Sequence, residues 1–216
     1  MKLSKPQNEE TKAARFNEIA GTIFAPVYPV LAEIILNKTP VKKGICLDLG
    51  SGPGHLAMAV SGRSDFLSIS FDLSFHAQKL ALENISKSGL NGKVFPMQGD
   101  VHSLPFHDNS IELVVSRGSI FFWDEPIRVF NEIHRILKPG CFSFIGGGFG
   151  TPELKAEIME KMEKKTGDFK EGAAKRMSPE NLQRLGDALS SSIARIHSVE
   201  KDNANLWFII QKEKNL

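Results

Sequence analysis

The stretch Ile45-Cys-Leu-Asp-Leu-Gly-Ser-Gly-Pro-Gly54 decides the reading of this chain, because a short apolar strand runs straight into glycines at three alternate positions. Gly50, Gly52 and Gly54 can take φ > 0 and carry no Cβ, so the chain can bend tightly and a ligand can lie against the peptide plane. Pro53 and His55 then open a helix whose first N–H groups have no partner within the helix. Asp48, at the end of the strand, adds an acceptor to the same space. A nucleoside suits that geometry; the alternative is a structural turn with chance glycines.

Two nucleotide signatures compete. Dinucleotide-binding folds use G-x-G-x-x-G, whose third glycine permits close helix-strand packing while the helix N-terminus faces a pyrophosphate. Here His55 stands where that glycine belongs, and the pattern is D-x-G-x-G-x-G. An acid ahead of the glycines meets a cation better than a phosphate. That favours S-adenosylmethionine, whose amino group and sulfonium are both positive.

Further acids follow in register. Phe66-Leu-Ser-Ile-Ser-Phe-Asp72 reads as a second buried strand ending in a carboxylate, at the spacing expected of a ribose-binding acid. A third strand, Lys93 to Gln98, runs into Gly99-Asp100-Val101, where Asp100 can accept the adenine amino hydrogen. Singly, each acid is as well explained as a turn or cap residue. Together they outline one nucleoside.

With these motifs in view, residues 44 to 148 resemble a class I S-adenosylmethionine-dependent methyltransferase of the ubiquinone/menaquinone-biosynthesis type. The carriers are LDLGSGPG (47 to 54), FDLS (71 to 74), GDVHSLPFHDNSIELVVS (99 to 116) and EIHRILKPG (132 to 140). Cys141 stands where the family normally has a second glycine. The resemblance implies cofactor contacts from Asp48, Gly50, Ser51, Gly52 and Gly54 in the first motif. It also implies contacts from Asp72, Leu73 and Ser74, from Asp100 and Val101, and from Ser116 and Arg117 after the fourth strand. It implies an α/β, doubly wound, mostly parallel seven-stranded sheet of order 3-2-1-4-5-7-6. The acceptor-binding residues of the family vary too much to carry over.

At 216 residues the chain supports one cored domain, taken as 1–216. A net charge of +2 gives no field for nucleic acid or a membrane surface, and neither is expected as a partner. Acids and bases alternate from Glu153 to Arg176 as on a solvated helix face. The start, MKLSKPQNEE, lacks the apolar core of a signal peptide. Ile23 to Leu36 is too short and too interrupted to span a bilayer. Cys46 and Cys141 read as free thiols, so a reducing cytoplasm is expected. The six histidines are scattered without zinc spacing, and no metal is expected.

Strands at 44–49, 66–72, 93–98, 111–116 and 141–147 alternate with helices at 54–62, 75–88 and 124–137, as in a parallel sheet. Ile193 to Val199 and Leu206 to Gln211 form a terminal hairpin across an Asp-Asn-Ala-Asn turn. Residues 9–37 read as helices broken at Pro26 and Pro29. Residues 152–188 read as two helices broken near Gly167 to Gly172 and capped again at Ser178-Pro179. Both segments are assigned to a lid over the carboxyl ends of the strands.

Methyl transfer needs nucleophile, carbon and sulfur nearly in line, so orientation and water exclusion can supply most of the catalysis. Ser116-Arg-Gly-Ser-Ile-Phe-Phe-Trp123 lacks the Asn/Asp-Pro-Pro-aromatic signature of amino-methylating nucleic-acid enzymes of this fold. Arg117 either anchors an acceptor carboxylate or phosphate or pairs with Asp124 or Glu125. Trp123 is expected on a cavity wall, and Tyr28 on the N-terminal lid. The glycines at 146, 147, 148 and 150 suggest close approach by a ligand or by the lid, or a hinge. The expected activity is methyl transfer to a small-molecule acceptor, by a monomer or a homodimer. An NAD(P)-dependent oxidoreductase and a nonenzymatic nucleoside-binding regulatory module are the alternatives.

Overall fold

The computed structural model describes residues 8–214; the opening seven residues, on which most of the signal-peptide reading falls, lie outside the described residues. Eight α-helices and seven β-strands follow in the described chain, with a short 3-10 helix at Ser119–Phe122. Helices α1 (Glu9–Gly21) and α2 (Val27–Lys38) precede β1 (Lys43–Leu49), α3 (His55–Ser61), β2 (Asp65–Asp72), α4 (Phe75–Lys87), β3 (Val94–Gln98) and β4 (Ile111–Arg117). Then come α5 (Pro126–Ile136), β5 (Leu137–Gly148), α6 (Pro152–Thr166), α7 (Phe169–Arg176), α8 (Pro179–Ser190), β6 (Ile196–Lys201) and β7 (Asn205–Gln211).

The strands form one sheet of order β3-β2-β1-β4-β5-β7-β6, the order implied by the resemblance. All pairings are parallel up to β5, and β7 runs antiparallel to both its neighbours. Both faces of the central strands are covered, which explains why β4 reads as a continuous apolar run. Alternation sends Leu113 and Val115 to one layer with Leu31, Ile35, Phe144 and Trp207. Val114 goes to the other, with Val129, Phe130, Ile133, Leu185 and Phe208. Helix α2 therefore belongs to the core, with Leu31, Ala32 and Ile35 wholly buried. Helix α8 packs its buried Leu185 and Leu189 into the same layer as α5.

Several boundaries correct the sequence reading. The N-terminal helices break between Gly21 and Val27, with Pro26 at the N-cap of α2; Pro29 sits in its first turn, where a missing N–H costs nothing. Residues 152–188 hold three helices rather than two, because Gly167 (φ +78°) ends α6 while Gly172 lies inside α7. The first hairpin strand starts at Ile196, not Ile193. Strand β5 begins at Leu137, and its register against β4 shifts between Ile111 and Leu113, so Lys138 to Gly140 form an irregularity within the strand.

Candidate active site

The loop after β1 is shaped by its own backbone and braced from α4. Gly52 has φ +54°, and a Cβ there would come within 2.9 Å of Phe16 on α1. The Asp72 carboxylate accepts from the Gly52 N–H and the Ser74 N–H, both at 2.8 Å. Gln78 donates to the Gly52 carbonyl at 3.3 Å and to Ser51 Oγ, while Asn84 donates to the Pro53 carbonyl at 3.0 Å. The sequence reading missed both amides. Its available signal was that Gln78 interrupts the buried stripe Ala77, Ala81, Ile85 of α4 with a polar group.

The three acids sit in different surroundings. Asp48 is buried, its Oδ2 accepts from the Ala57 N–H at 3.0 Å, and burial pushes its carboxyl up to about 8. Asp72 is half-buried at the end of β2. Asp100 is exposed, and hydrogen bonds from the backbone and ring of His102 hold its carboxyl below the ordinary range. Ser116 Oγ lies 2.6 Å from Ser119 Oγ, and Ser119 in turn donates to the Leu49 carbonyl. That tie fixes the exit of β4 against the exit of β1.

Beyond the turn, aromatic rings surround a guanidinium. Arg117 donates from Nε to the Gly148 carbonyl at 3.0 Å, and its guanidinium carbon lies 4.4 Å from the Phe24 ring centre, 5.6 Å from Tyr28 and 5.8 Å from Phe149. Neither carboxylate offered to it by the sequence reading is its partner: Glu125 pairs with Arg128 at 3.7 Å. Tyr28 is buried behind Arg117, stacked on His55 at 5.2 Å, and burial raises its phenol. A core helix, not a lid, carries it. The glycines at the end of β5 are explained by β7: a Cβ on Gly146 would lie 2.0 Å from the Leu206 carbonyl oxygen, and one on Gly148 would lie 2.4 Å from Asn205 Oδ1.

One cavity of about 1120 Å³ joins these parts. Of the residues expected at the cofactor, Gly50, Gly52, Asp72, Leu73, Ser74, Asp100, Val101 and Arg117 border it, as does Trp123. Asp48, Ser51, Gly54, Ser116 and Tyr28 stand behind that wall. Gly54 serves packing, since a Cβ there would meet Ser70 and Ala81. Helix α1 contributes Phe16 and Ile19, and α6 and α7 contribute Met159, Met162, Phe169 and Arg176. The residues suit a cationic nucleoside: a turn free of Cβ atoms at Gly50 and Gly52 opens on two carboxylates, Asp72 and Asp100, at adjacent strand ends. Among the described residues no helix is long and apolar enough to cross a membrane.

The family described as "Methyltransferase domain" matches residues 47–145. A solved structure from Methanococcus maripaludis, assigned to the S-adenosyl-L-methionine-dependent methyltransferases, is 40% identical, covers 100% of this chain and 99% of its own, and superposes with a TM-score of 0.93. The malonyl-[acyl-carrier protein] O-methyltransferase of a Marinomonas species is 28% identical over 203 residues, 91% of this chain and 70% of that protein. A 2-methyl-6-phytyl-1,4-hydroquinone methyltransferase of Oryza sativa subsp. japonica is 35% identical over 95 residues, 44% of this chain and 26% of that protein.

Proposed function

The chain belongs to the S-adenosylmethionine-dependent methyltransferases, and from that premise we propose that its acceptor is a small molecule held between Trp123, Phe24 and helices α6 and α7. The family sets aside the nicotinamide-dependent and nonenzymatic alternatives. S-adenosylmethionine supplies a methyl group already activated on a positive sulfonium. The carrying observation is the single chamber of about 1120 Å³, larger than the roughly 300–1,000 Å³ usual for one small ligand. It has room for an acceptor beside the cofactor.

In this reading Gly50 and Gly52 present backbone to the nucleoside, Asp72 takes the ribose hydroxyls on whichever lone pairs the turn leaves free, and Asp100 takes the adenine amino group. Val101, Leu73 and Ser74 line the same shelf. Asp48, Ser51, Gly54 and Ser116 act from behind it, by fixing the turn and the strand exits. Arg117 and Trp123 face the acceptor, and Tyr28 holds Arg117 from behind. The aromatic wall excludes water and orients the acceptor, which is where a transfer without an assigned base gains its rate. Helix α1 and the pair α6–α7 border the mouth and act as the lid.

The acceptor in one relative's name, a phytyl hydroquinone, supports a small-molecule acceptor. The segment 116–123, without its Pro-Pro-aromatic signature, supports a non-nucleic-acid substrate. Two buried free thiols support a cytoplasmic location. Incubation with methyl-labelled cofactor and a metabolite extract tests the reading. Label is expected in small molecules; label confined to protein or nucleic acid overturns it.

A further inference from the structure

Charge divides the cavity wall. The shelf at the ends of β2 and β3 carries Asp72 and Asp100, α1 adds Glu9 and Lys12, and Asp124 follows Trp123, whereas the side built by β4, α6, α7 and the β6–β7 turn carries Arg117, Lys155, Lys170, Arg176 and Lys201 against the one carboxylate Asp202. Asp202, which lines the cavity beside Lys201, is taken by the Ala204 and Asn205 N–H groups and the Asn205 amide. Lys155 donates to the Asn203 carbonyl. The two arginines are the unusual members. Both are half-buried, and neither forms a salt bridge among the described residues.

They also share one aromatic floor. The Arg117 guanidinium lies 4.4 Å from the Phe24 ring centre and that of Arg176 lies 5.9 Å from Phe169, and the two rings stand 6.2 Å apart. Planar guanidiniums on rings keep their N–H edges free for a fork-shaped acceptor. Holding two such cations partly out of water with no counter-charge costs free energy, which an arriving anion would return. The acidic shelf meanwhile matches a cationic cofactor. The two halves call for ligands of opposite sign.

We propose that Arg117 and Arg176 form a receptor for an oxyanion on the acceptor, so that the substrate is a small acid, carboxylate or phosphate, whose apolar body lies on Phe24, Phe149 and Phe169. This rests on the small-molecule reading above. Arg176 sets acceptor specificity and takes no part in holding the cofactor.

The test uses methyl-labelled S-adenosylmethionine and a metabolite extract divided before reaction into acidic small molecules, other small molecules and macromolecules, the acidic pool being run with and without phosphatase treatment. Label is expected from the acidic pool, and its loss after phosphatase identifies a phosphate rather than a carboxylate. Arg176→Gln should lower kcat/KM for that acceptor about tenfold or more through KM, and Arg176→Lys should recover part of it. Calorimetry should show S-adenosylhomocysteine binding unchanged in both variants. Weakened cofactor-product binding in Arg176→Gln would mean that the arginine reads the cofactor's own carboxylate, and overturns the proposal. Transfer only to the other small molecules, or equal transfer by Arg176→Gln, overturns it while the small-molecule reading stands. Transfer only to macromolecules, or to no pool, overturns both.

Discussion

The two ends of the chamber are built from different materials. At the glycine-turn end the surface is backbone, and its shape is held by direct hydrogen bonds in which Asp72 accepts and Gln78 and Asn84 donate. At the far end the surface is long side chains from β4, the α1–α2 linker, α6 and α7, held by ring contacts and one bond from Arg117 to a carbonyl. A backbone surface cannot be altered without rebuilding the turn. A side-chain surface can be exchanged one residue at a time while the fold persists. Cofactor recognition is thus constrained and acceptor recognition is free to diverge, which is how one fold serves many acceptors.

The largest effect expected from this difference is at Gly52. A valine there must adopt φ near +54°, at a cost of order 1–3 kcal/mol for a non-glycine residue, and must displace the Phe16 ring from 2.9 Å. Gly52→Val should leave a native circular-dichroism spectrum and no calorimetrically detectable cofactor binding. Normal binding by a folded Gly52→Val protein would break the idea that backbone forms the shelf.

Next in size is Asp72. Alanine removes the acceptor for two backbone N–H groups as well as any ligand contact, so stability should fall by about 1–3 kcal/mol in chemical denaturation. Cofactor affinity should fall roughly tenfold to hundredfold. Unchanged affinity would remove Asp72 from the shelf. Lowered affinity with unchanged stability would show that the turn does not need its two hydrogen bonds.

The same difference governs what was legible in the sequence. The glycine turn and the strand ends lie within consecutive residues whose types are dictated by backbone geometry, so β1, β2 and the positions of Asp48, Asp72 and Asp100 could be read directly, whereas the sheet order came from the family resemblance. The lid could not be read so closely. Whether α2 covers the site or the sheet depends on partners such as Phe144 and Trp207, more than a hundred residues away. Arg117 was visible as a charge after β4, yet its company of Phe24, Tyr28 and Phe149 follows from three-dimensional packing alone. Arg176 had no local signal, because in the run of alternating charges it looks like any solvated helix residue. Gly146 and Gly148 were legible as close-approach sites, but what approaches them is β7.

A smaller, selective effect is expected at the side-chain end. Arg117→Gln should lower kcat/KM for the acceptor about tenfold, the scale of one charge-assisted hydrogen bond, with cofactor affinity held within a few-fold. Tyr28→Phe should do less, since its phenol is buried behind the guanidinium and does not border the cavity. Steady-state kinetics beside calorimetry separates the two terms. If Arg117→Gln reduces both alike, the two ends are not independent and the comparison fails.

The finest distinction concerns Asp48, which belongs to the cofactor end by sequence yet points at Ala57 and not into the chamber. Burial raises its carboxyl to about 8, against an ordinary value near 4. Between those pH values the folded chain keeps a proton that the unfolded chain has lost, so the folded state binds more protons and its stability falls as pH rises. The slope from one such group approaches about 1.4 kcal/mol per pH unit in mid-window and levels off above about 8. His55, whose imidazole burial pushes below its ordinary range, acts in the opposite sense at the acidic end, so the difference between wild type and variant is the quantity to read. Asn at position 48 preserves the acceptor toward the Ala57 N–H and carries no proton to lose. Denaturation midpoints measured from pH 4.5 to 8.5 without cofactor should therefore diverge, with Asp48→Asn gaining on wild type as pH rises. Cofactor affinity should change by less than tenfold, because the carboxylate is not on the cavity wall. Parallel stability profiles would show that Asp48 ionises freely in the folded protein, and would return it to the shelf as a charged partner of the ligand.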